Sequence, residues 1–368
     1  MPEPTVNPGI LKIKPYVGGE ADIEGQKDVI KLSSNEGALG PSPNAITAFE
    51  KESSALHRYP DGNATLLRET IAATHNLDSN QIVCGAGSDE LIALLCKAFS
   101  GPGDEVLYSQ YGFLMYSISA MASGAAPKAA LEENFTANVD SLLRAVTENT
   151  KLLFLANPNN PTGTYLKESE LSRLHSELPK HVILVIDAAY AEFVTKDDYV
   201  EGNKLVRGNN NVIVTRTFSK SHGLGSLRLG WAYGSPFIID ILNRIRGPFN
   251  VSAAGQAAGI ASMKDKAFSD TVRNHNSKWL RWTKGQLSKL GVNTTDSVGN
   301  FLLLTFNEDS GVSAGEIEAK LKKKRILVRS LQAYGLPNCL RISVGLESEM
   351  RTLVDAMSDT LGDIDGKK

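Results

Sequence analysis

Lys220 stands between two serines in "TRTFSKSHGLGSLRLG", residues 215–230, directly after an apolar run and ahead of a turn punctuated by glycines. A lysine that only solvates a surface needs no such company. Thr217, Ser219 and Arg228 surround this one with two hydroxyls and a guanidinium, a donor set that can hold a phosphate dianion close to an amine. "GAGSDE", residues 85–90, adds small residues and a helix start whose free amides also suit phosphate. Glu90 occupies the place of the third glycine of a dinucleotide fingerprint, which argues against a nicotinamide dehydrogenase, and no Walker pattern is present.

Two further stretches carry chemistry. Asp187 ends the aliphatic run of "LVIDAAY", residues 184–190, where a carboxylate is costly unless a cation meets it. A protonated ring nitrogen would serve, with Tyr190 donating to the same ring; capping of the next segment is the alternative reading. "FLANPNNPTG", residues 154–163, places two prolines and three asparagines after a buried strand, a rigid turn that presents amide side chains. These groups converge on one small molecule with a phosphate, a basic aromatic nitrogen and an aldehyde for the lysine, which describes pyridoxal phosphate.

The elements that must position them follow from periodicity. "QIVCG", "DEVLYS", "KLLFLAN", "VILVIDAAY", "NVIVTRTF" and "LGWAYG" are strand candidates, separated by helical patterns such as "DELIALLCKAF" and "KESELSRLHSEL". Continuously apolar strands alternating with helices predict an α/β fold with a mainly parallel sheet covered on both faces, and ligands bind beyond the carboxyl ends of such strands. After residue 265 the pattern becomes a long amphipathic helix, then "NFLLLTF", a helix opened by the capping signature "SAGE" at 313–316, "RILVRS" and "LRISVG", as expected of a smaller α+β unit. The expected division is an N-terminal arm at 1–40 contributing to the small domain, a large domain at 41–264 and a small C-terminal domain at 265–368.

With 368 residues, 42% of them hydrophobic, the chain can bury a large core, and a formal charge of -2 offers no field for nucleic acid. No apolar run is long enough to span lipid and the first residues lack a basic-then-apolar leader, so a cytoplasmic protein is expected. Cys84, Cys96 and Cys339 are odd in number and apolar in context, hence expected as reduced core residues, and no metal site is expected from them or the histidines.

The ordered set "NPNNPTG", "DAAY", "SKSHGLGSLRLG" and "LRISVG" resembles the fold-type I pyridoxal-phosphate (PLP) aminotransferases. Through "LSSNEGALGPSP", "YPDGNATLLR", "GAGSDELI" and "YGLPNCLRISVG" the match is closest to histidinol-phosphate aminotransferases, over nearly the whole chain. The resemblance implies that Lys220 is the Schiff-base lysine and then the proton carrier, that Asp187 keeps the pyridine nitrogen protonated, and that Asn160 and Tyr190 donate to the phenolic oxygen. Tyr111 resembles the ring that stacks on the cofactor, although a core tyrosine is the plain alternative; Ser88, Asp89, Thr217, Ser219 and Arg228 match phosphate-holding positions. Tyr59 resembles a residue that reaches the cofactor of a neighbouring subunit, which implies a homodimer with shared sites. Arg341, Arg329 and Tyr16 match substrate-binding positions, where the cations would take a substrate phosphate, and Asn160 would also face the substrate.

The implied activity is exchange of an amine between L-histidinol phosphate and 2-oxoglutarate in histidine biosynthesis. An aromatic amino acid aminotransferase, or a decarboxylase or lyase using the same lysine, is the rival on this fold; a non-catalytic PLP-binding regulator would need a DNA-binding module for which the chain has no room. Two departures stand out: Ala188 where the family often has glutamate, and His222 in the loop after the lysine, expected near the site without an assigned role.

Overall fold

A computed structural model describes residues 4–306 and 312–365. All six strand candidates form, as β1 (Ile82–Gly85), β2 (Glu105–Ser109), β4 (Thr150–Ala156), β5 (Ile183–Asp187), β6 (Val212–Thr217) and β7 (Gly230–Gly234). A further strand, β3 (Ala126–Ala130), completes a seven-stranded sheet of order β1-β7-β6-β5-β4-β2-β3. Neighbours run parallel except β7, which is antiparallel to both β1 and β6. Two cores cover the faces: Leu153, Leu155, Leu184, Ile186 and Val214 pack into one, and Leu152, Phe154, Val185 and Ile213 into the other. That alternation is the pleat of strands buried on both sides. Truncation of the fully buried Leu155 to alanine therefore costs about 2–5 kcal/mol.

Helices α1 (Ser88–Phe99) and α2 (Met115–Ser123) begin just beyond the carboxyl ends of β1 and β2, and so bring their first turns to the edge where ligands bind. Ser252 caps α3 (Ala253–Lys264) by accepting from Gly255 N, and Asp265 caps the long α4 (Lys266–Lys289) by accepting from Phe268 N at 3.1 Å. The C-terminal part has its own antiparallel sheet, β8 (Asn293–Thr294), β9 (Phe301–Thr305), β11 (Cys339–Ser343) and β10 (Arg329–Ser330) in that spatial order. Its separate core includes Trp279, Leu302, Leu304, Ile317, Ile342 and Met357. Helix α5 (Ala314–Lys323) opens on Ser313, whose Oγ accepts from Glu316 N at 3.1 Å, as the capping signature predicts. The short strand Ile30–Lys31 pairs in parallel with Ile326–Leu327 and ties the N-terminal segment to this part of the chain. All three cysteines are free and buried. Among the described residues no helix is long and apolar enough to cross a membrane.

Candidate active site

The strand ends open into a cavity of about 420 Å³ that Lys220, Asp187, Tyr190, Asn160, Ser88, Asp89, Thr217, Ser219, Arg228, Tyr16, Arg329 and Arg341 all line. Lys220 follows β6 by a short turn, and its Nζ donates to the Ser34 carbonyl at 3.4 Å. Burial first, and the Arg341 cation second, push its ammonium down to about 8. Near neutrality the amine is thus far closer to its neutral, nucleophilic form than a surface lysine.

Asp187 is the last residue of β5 and is buried. Its Oδ2 accepts from the Tyr116 hydroxyl at 2.7 Å, while Oδ1 is buried without a hydrogen-bond partner among the described residues. Burial raises the carboxyl to about 6, with the Tyr116 donation pulling the other way. A buried carboxylate that lines the cavity with one oxygen short of a hydrogen bond fits a cationic nitrogen.

The phosphate-sized corner is built from backbone and one guanidinium. Arg228 donates to the Gly225 carbonyl at 2.9 Å, to Asp89 Oδ2 at 3.2 Å and to Ser219 Oγ at 3.4 Å. The Thr217 hydroxyl donates to Ser219 Oγ at 3.0 Å and accepts from Ser219 N at 3.1 Å. Gly87, at φ +85°, lies so close that a Cβ there would stand 2.4 Å from Arg228 Nη2, and a Cβ on Gly230 would stand 2.4 Å from Ser88 N. Both glycines keep the start of α1 and the guanidinium open to an anion. Lysine, orphaned carboxylate oxygen and anion cradle in one cavity match the three handles of pyridoxal phosphate, so the residues present fit that group.

A second cationic pair serves the remainder of the cavity. Arg341, on β11, is buried; it donates to the Asn160 side-chain oxygen and to the Ser33 carbonyl, and its Nε has no partner among the described residues. Arg329 Nη2 donates to the Val17 carbonyl at 2.7 Å, which holds the N-terminal segment beside the cavity, and Tyr16 packs edge-on against Phe113. Residues 33–35 connect three of the site groups: besides Ser33 and Ser34, Asn35 Nδ2 donates to the Tyr190 hydroxyl at 3.0 Å, and Asn35 N donates to Ser343 Oγ at 2.7 Å. Sequence reasoning assigned no role to Asn35. Its one signal is the polar run "SSNE" directly after the buried Leu32.

A family model described as aminotransferase class I and II matches residues 27–357. The chain is 53% identical over 362 residues to the histidinol-phosphate aminotransferase of Paramagnetospirillum magneticum, covering 98% of this chain and 100% of that protein. The chain belongs to the histidinol-phosphate aminotransferase family. The Rhodospirillum rubrum member is 52% identical over 354 residues, with 96% of each chain covered. The crystal structure of histidinol-phosphate aminotransferase from Sinorhizobium meliloti in complex with pyridoxal 5'-phosphate matches with a TM-score of 0.87 at 26% identity, covering 92% of both chains.

Tyr111 and Tyr59, which the family resemblance brought to the site, and His222, expected near it as a departure from the family pattern, are not among the residues lining the cavity. Tyr111 does not line the cavity: its backbone N donates to Glu132 Oε1 and its ring packs 6.0 Å from Phe135, in a cluster with Leu331 and Tyr334. The aromatic side chains of this stretch that line the cavity are Phe113, in the turn between β2 and α2, and Tyr116, in the first turn of α2. His222 turns away from the cavity, its Nδ1 2.7 Å from Ser262 Oγ on α3 and its ring 4.8 Å from Phe218. Tyr59 is 82% exposed, stacked at 4.7 Å on Phe249, and is absent from this chain's own cavity lining.

Proposed function

We propose that this chain transfers the amine of L-histidinol phosphate to 2-oxoglutarate, releasing imidazole acetol phosphate and L-glutamate, with pyridoxal 5'-phosphate as cofactor. The observation that carries the reading is one cavity in which an amine, an orphaned carboxylate oxygen and a phosphate cradle are joined by Arg341 and Arg329, two cations that the cofactor phosphate does not require. Full-length relatives at about half identity bear this activity in their names.

Each residue then has a task. When bound, the cofactor supplies the electron sink that makes the substrate carbon acidic. Lys220 Nζ, kept from full protonation by burial, accepts the proton from the amine-bearing carbon and returns one on the far side of the transfer. The Asp187 carboxylate would accept from the ring nitrogen and so keep it protonated, and Tyr190 with Asn160 would orient the ring oxygen. Ser88, Asp89, Thr217, Ser219 and Arg228 hold the cofactor phosphate, Asp89 through its backbone amide since its carboxylate already pairs with Arg228. Phe113, which lines the cavity where Tyr111 does not, would stack on the cofactor ring in place of Tyr111. Arg341, Arg329, Asn160 and Tyr16 receive the substrate, the arginines taking its phosphate and, in the other half-reaction, the carboxylates of glutamate.

The same reading divides the chain into the arm at 1–40, the large domain at 41–264 and the small domain at 265–368, supported by the separate C-terminal core and the pairing of Ile30–Lys31 with Ile326–Leu327. It makes the protein a cytoplasmic homodimer in which Tyr59 reaches the partner's cofactor phosphate. The exposure of Tyr59 and of Leu56 at 79%, close together in the chain, supports a covering subunit. Incubation of the cofactor-loaded protein with L-histidinol phosphate and 2-oxoglutarate should yield L-glutamate in step with imidazole acetol phosphate. Failure to form glutamate from this pair, with formation from phenylalanine and 2-oxoglutarate, contradicts the reading, and a monomer by sedimentation contradicts the shared site.

A further inference from the structure

Asp187 has two oxygens, and only one of them is hydrogen-bonded among the described residues, although the Thr215 hydroxyl and the Ala189 backbone also favour the charged carboxylate. Oδ2 accepts from the Tyr116 hydroxyl at 2.7 Å; Oδ1 has no partner among the described residues. Tyr116 is itself fully buried, stacked on Phe154 of β4 at 4.7 Å with the rings 11° from parallel, and edge-on to Phe113 at 6.0 Å. Its ring is held from both sides, and its hydroxyl has little freedom to point anywhere but at the carboxylate. We propose that Tyr116 is a positioning residue that acts through Asp187: its hydroxyl pins one carboxylate oxygen and so presents the other, Oδ1, to the ring nitrogen of the cofactor. The proposal rests on the reading of Asp187 given above.

The physical argument concerns orientation and charge together. A lone carboxylate at a strand end rotates about its terminal torsion, which is broad and roughly two-fold. A donor on Oδ2 selects one of these orientations and stabilises the charged form that burial disfavours. The turn before α2 and the first turn of that helix thus set two features: Phe113, in the turn, walls the cavity, and Tyr116, in the helix, would fix the carboxylate that meets the ring nitrogen. Without the hydroxyl the carboxylate becomes a stronger base, and the proton shared with the ring nitrogen shifts toward Asp187.

Tyr116→Phe keeps the stacked ring and removes only the donor. The test loads the wild type and the variant with isotope-labelled pyridoxal 5'-phosphate and reads the ring-nitrogen NMR shift, together with cofactor dissociation and melting of the cofactor-free protein. The expected result is a shift toward the unprotonated position and cofactor binding weakened about 2- to 10-fold, less than a whole charge-assisted hydrogen bond because the Tyr116–Asp187 bond is also present without cofactor. A role confined to packing would alter the melt and leave the ring-nitrogen shift in place. If Tyr116→Phe does not fold, a fluorinated tyrosine at this position, a stronger donor of nearly the same size, must move the shift the opposite way. A protonated wild type whose shift and affinity survive both changes overturns the proposal alone. An unprotonated ring nitrogen in the wild type overturns the reading of Asp187 as well.

Discussion

Replacing Gly87 by alanine tests whether the anion cradle is built as described. Gly87 sits at φ +85° and ψ 167°, a region that only glycine occupies comfortably, so the substitution strains the backbone by about 1–3 kcal/mol with or without cofactor. The new Cβ would also stand 2.4 Å from Arg228 Nη2, which must move. Moving it breaks the contacts to Gly225, Asp89 and Ser219 that aim the guanidinium at the cavity. Loss of one charge-assisted hydrogen bond to the cofactor phosphate costs about 1.5–3 kcal/mol, or about 10- to 150-fold in cofactor affinity. Calorimetric titration of the cofactor-free protein reads the second effect, and its thermal melt reads the first, an expected fall of about 1–4 °C. Arg228→Gln should lose comparable affinity with little change in the melt, and the double variant should lose less affinity than the two single losses added. Wild-type affinity in Gly87→Ala would refute the cradle, whatever the melt shows.

Four further outcomes follow from the site. Phe113→Leu should weaken cofactor binding about 2- to 10-fold by loss of ring contact, whereas Tyr111→Phe should leave it unchanged; the reverse order in a fluorescence titration would restore Tyr111 to the site. Cofactor capture by the cofactor-free protein should speed up as pH rises through about 8, where Lys220 loses its proton, and in Arg341→Gln, with one repelling cation removed, the midpoint of the stopped-flow profile should move higher. Between about 8 and 10.5 the unfolded chain holds the proton that folded Lys220 has lost, so the cofactor-free protein gains stability with pH over that window, and Lys220→Met should lack this gain in pH-dependent melts. Arg329→Gln should raise KM for L-histidinol phosphate about 10-fold or more with a smaller change in kcat, since one exposed cation to a phosphate is lost while the acid–base groups remain; an unchanged KM in steady-state assays would remove Arg329 from substrate binding.

The sheet was legible because its strands are continuous aliphatic runs with few alternatives, and the chemistry because it sits at their ends: Asp187 closes β5 and Lys220 follows β6. Strand β3 was not legible. Its "APKAA" holds a proline, a lysine and no β-branched residue, and it forms at the sheet edge, paired on one side only with β2. Tyr111 and Phe113 illustrate the other limit. They are two residues apart in an irregular turn, where neither the helical nor the strand period applies, and only the path of the chain decides which ring meets the cavity. Asn35 and Tyr116 were beyond reach for a related cause: each touches a site residue far away in sequence, Tyr190 and Asp187 respectively. His222 is close to Lys220 along the chain, yet the turn after the lysine directs it to α3.

The most direct test of the central claim is a single half-reaction. The protein loaded with pyridoxal 5'-phosphate is mixed with L-histidinol phosphate, or separately with phenylalanine, in the absence of 2-oxoglutarate, and the visible band of the lysine-bound cofactor is followed. Loss of the band at far lower concentrations of L-histidinol phosphate than of phenylalanine is the predicted result, and Lys220→Ala should show no such band. Preference for phenylalanine, or a band that L-histidinol phosphate leaves untouched, would contradict it.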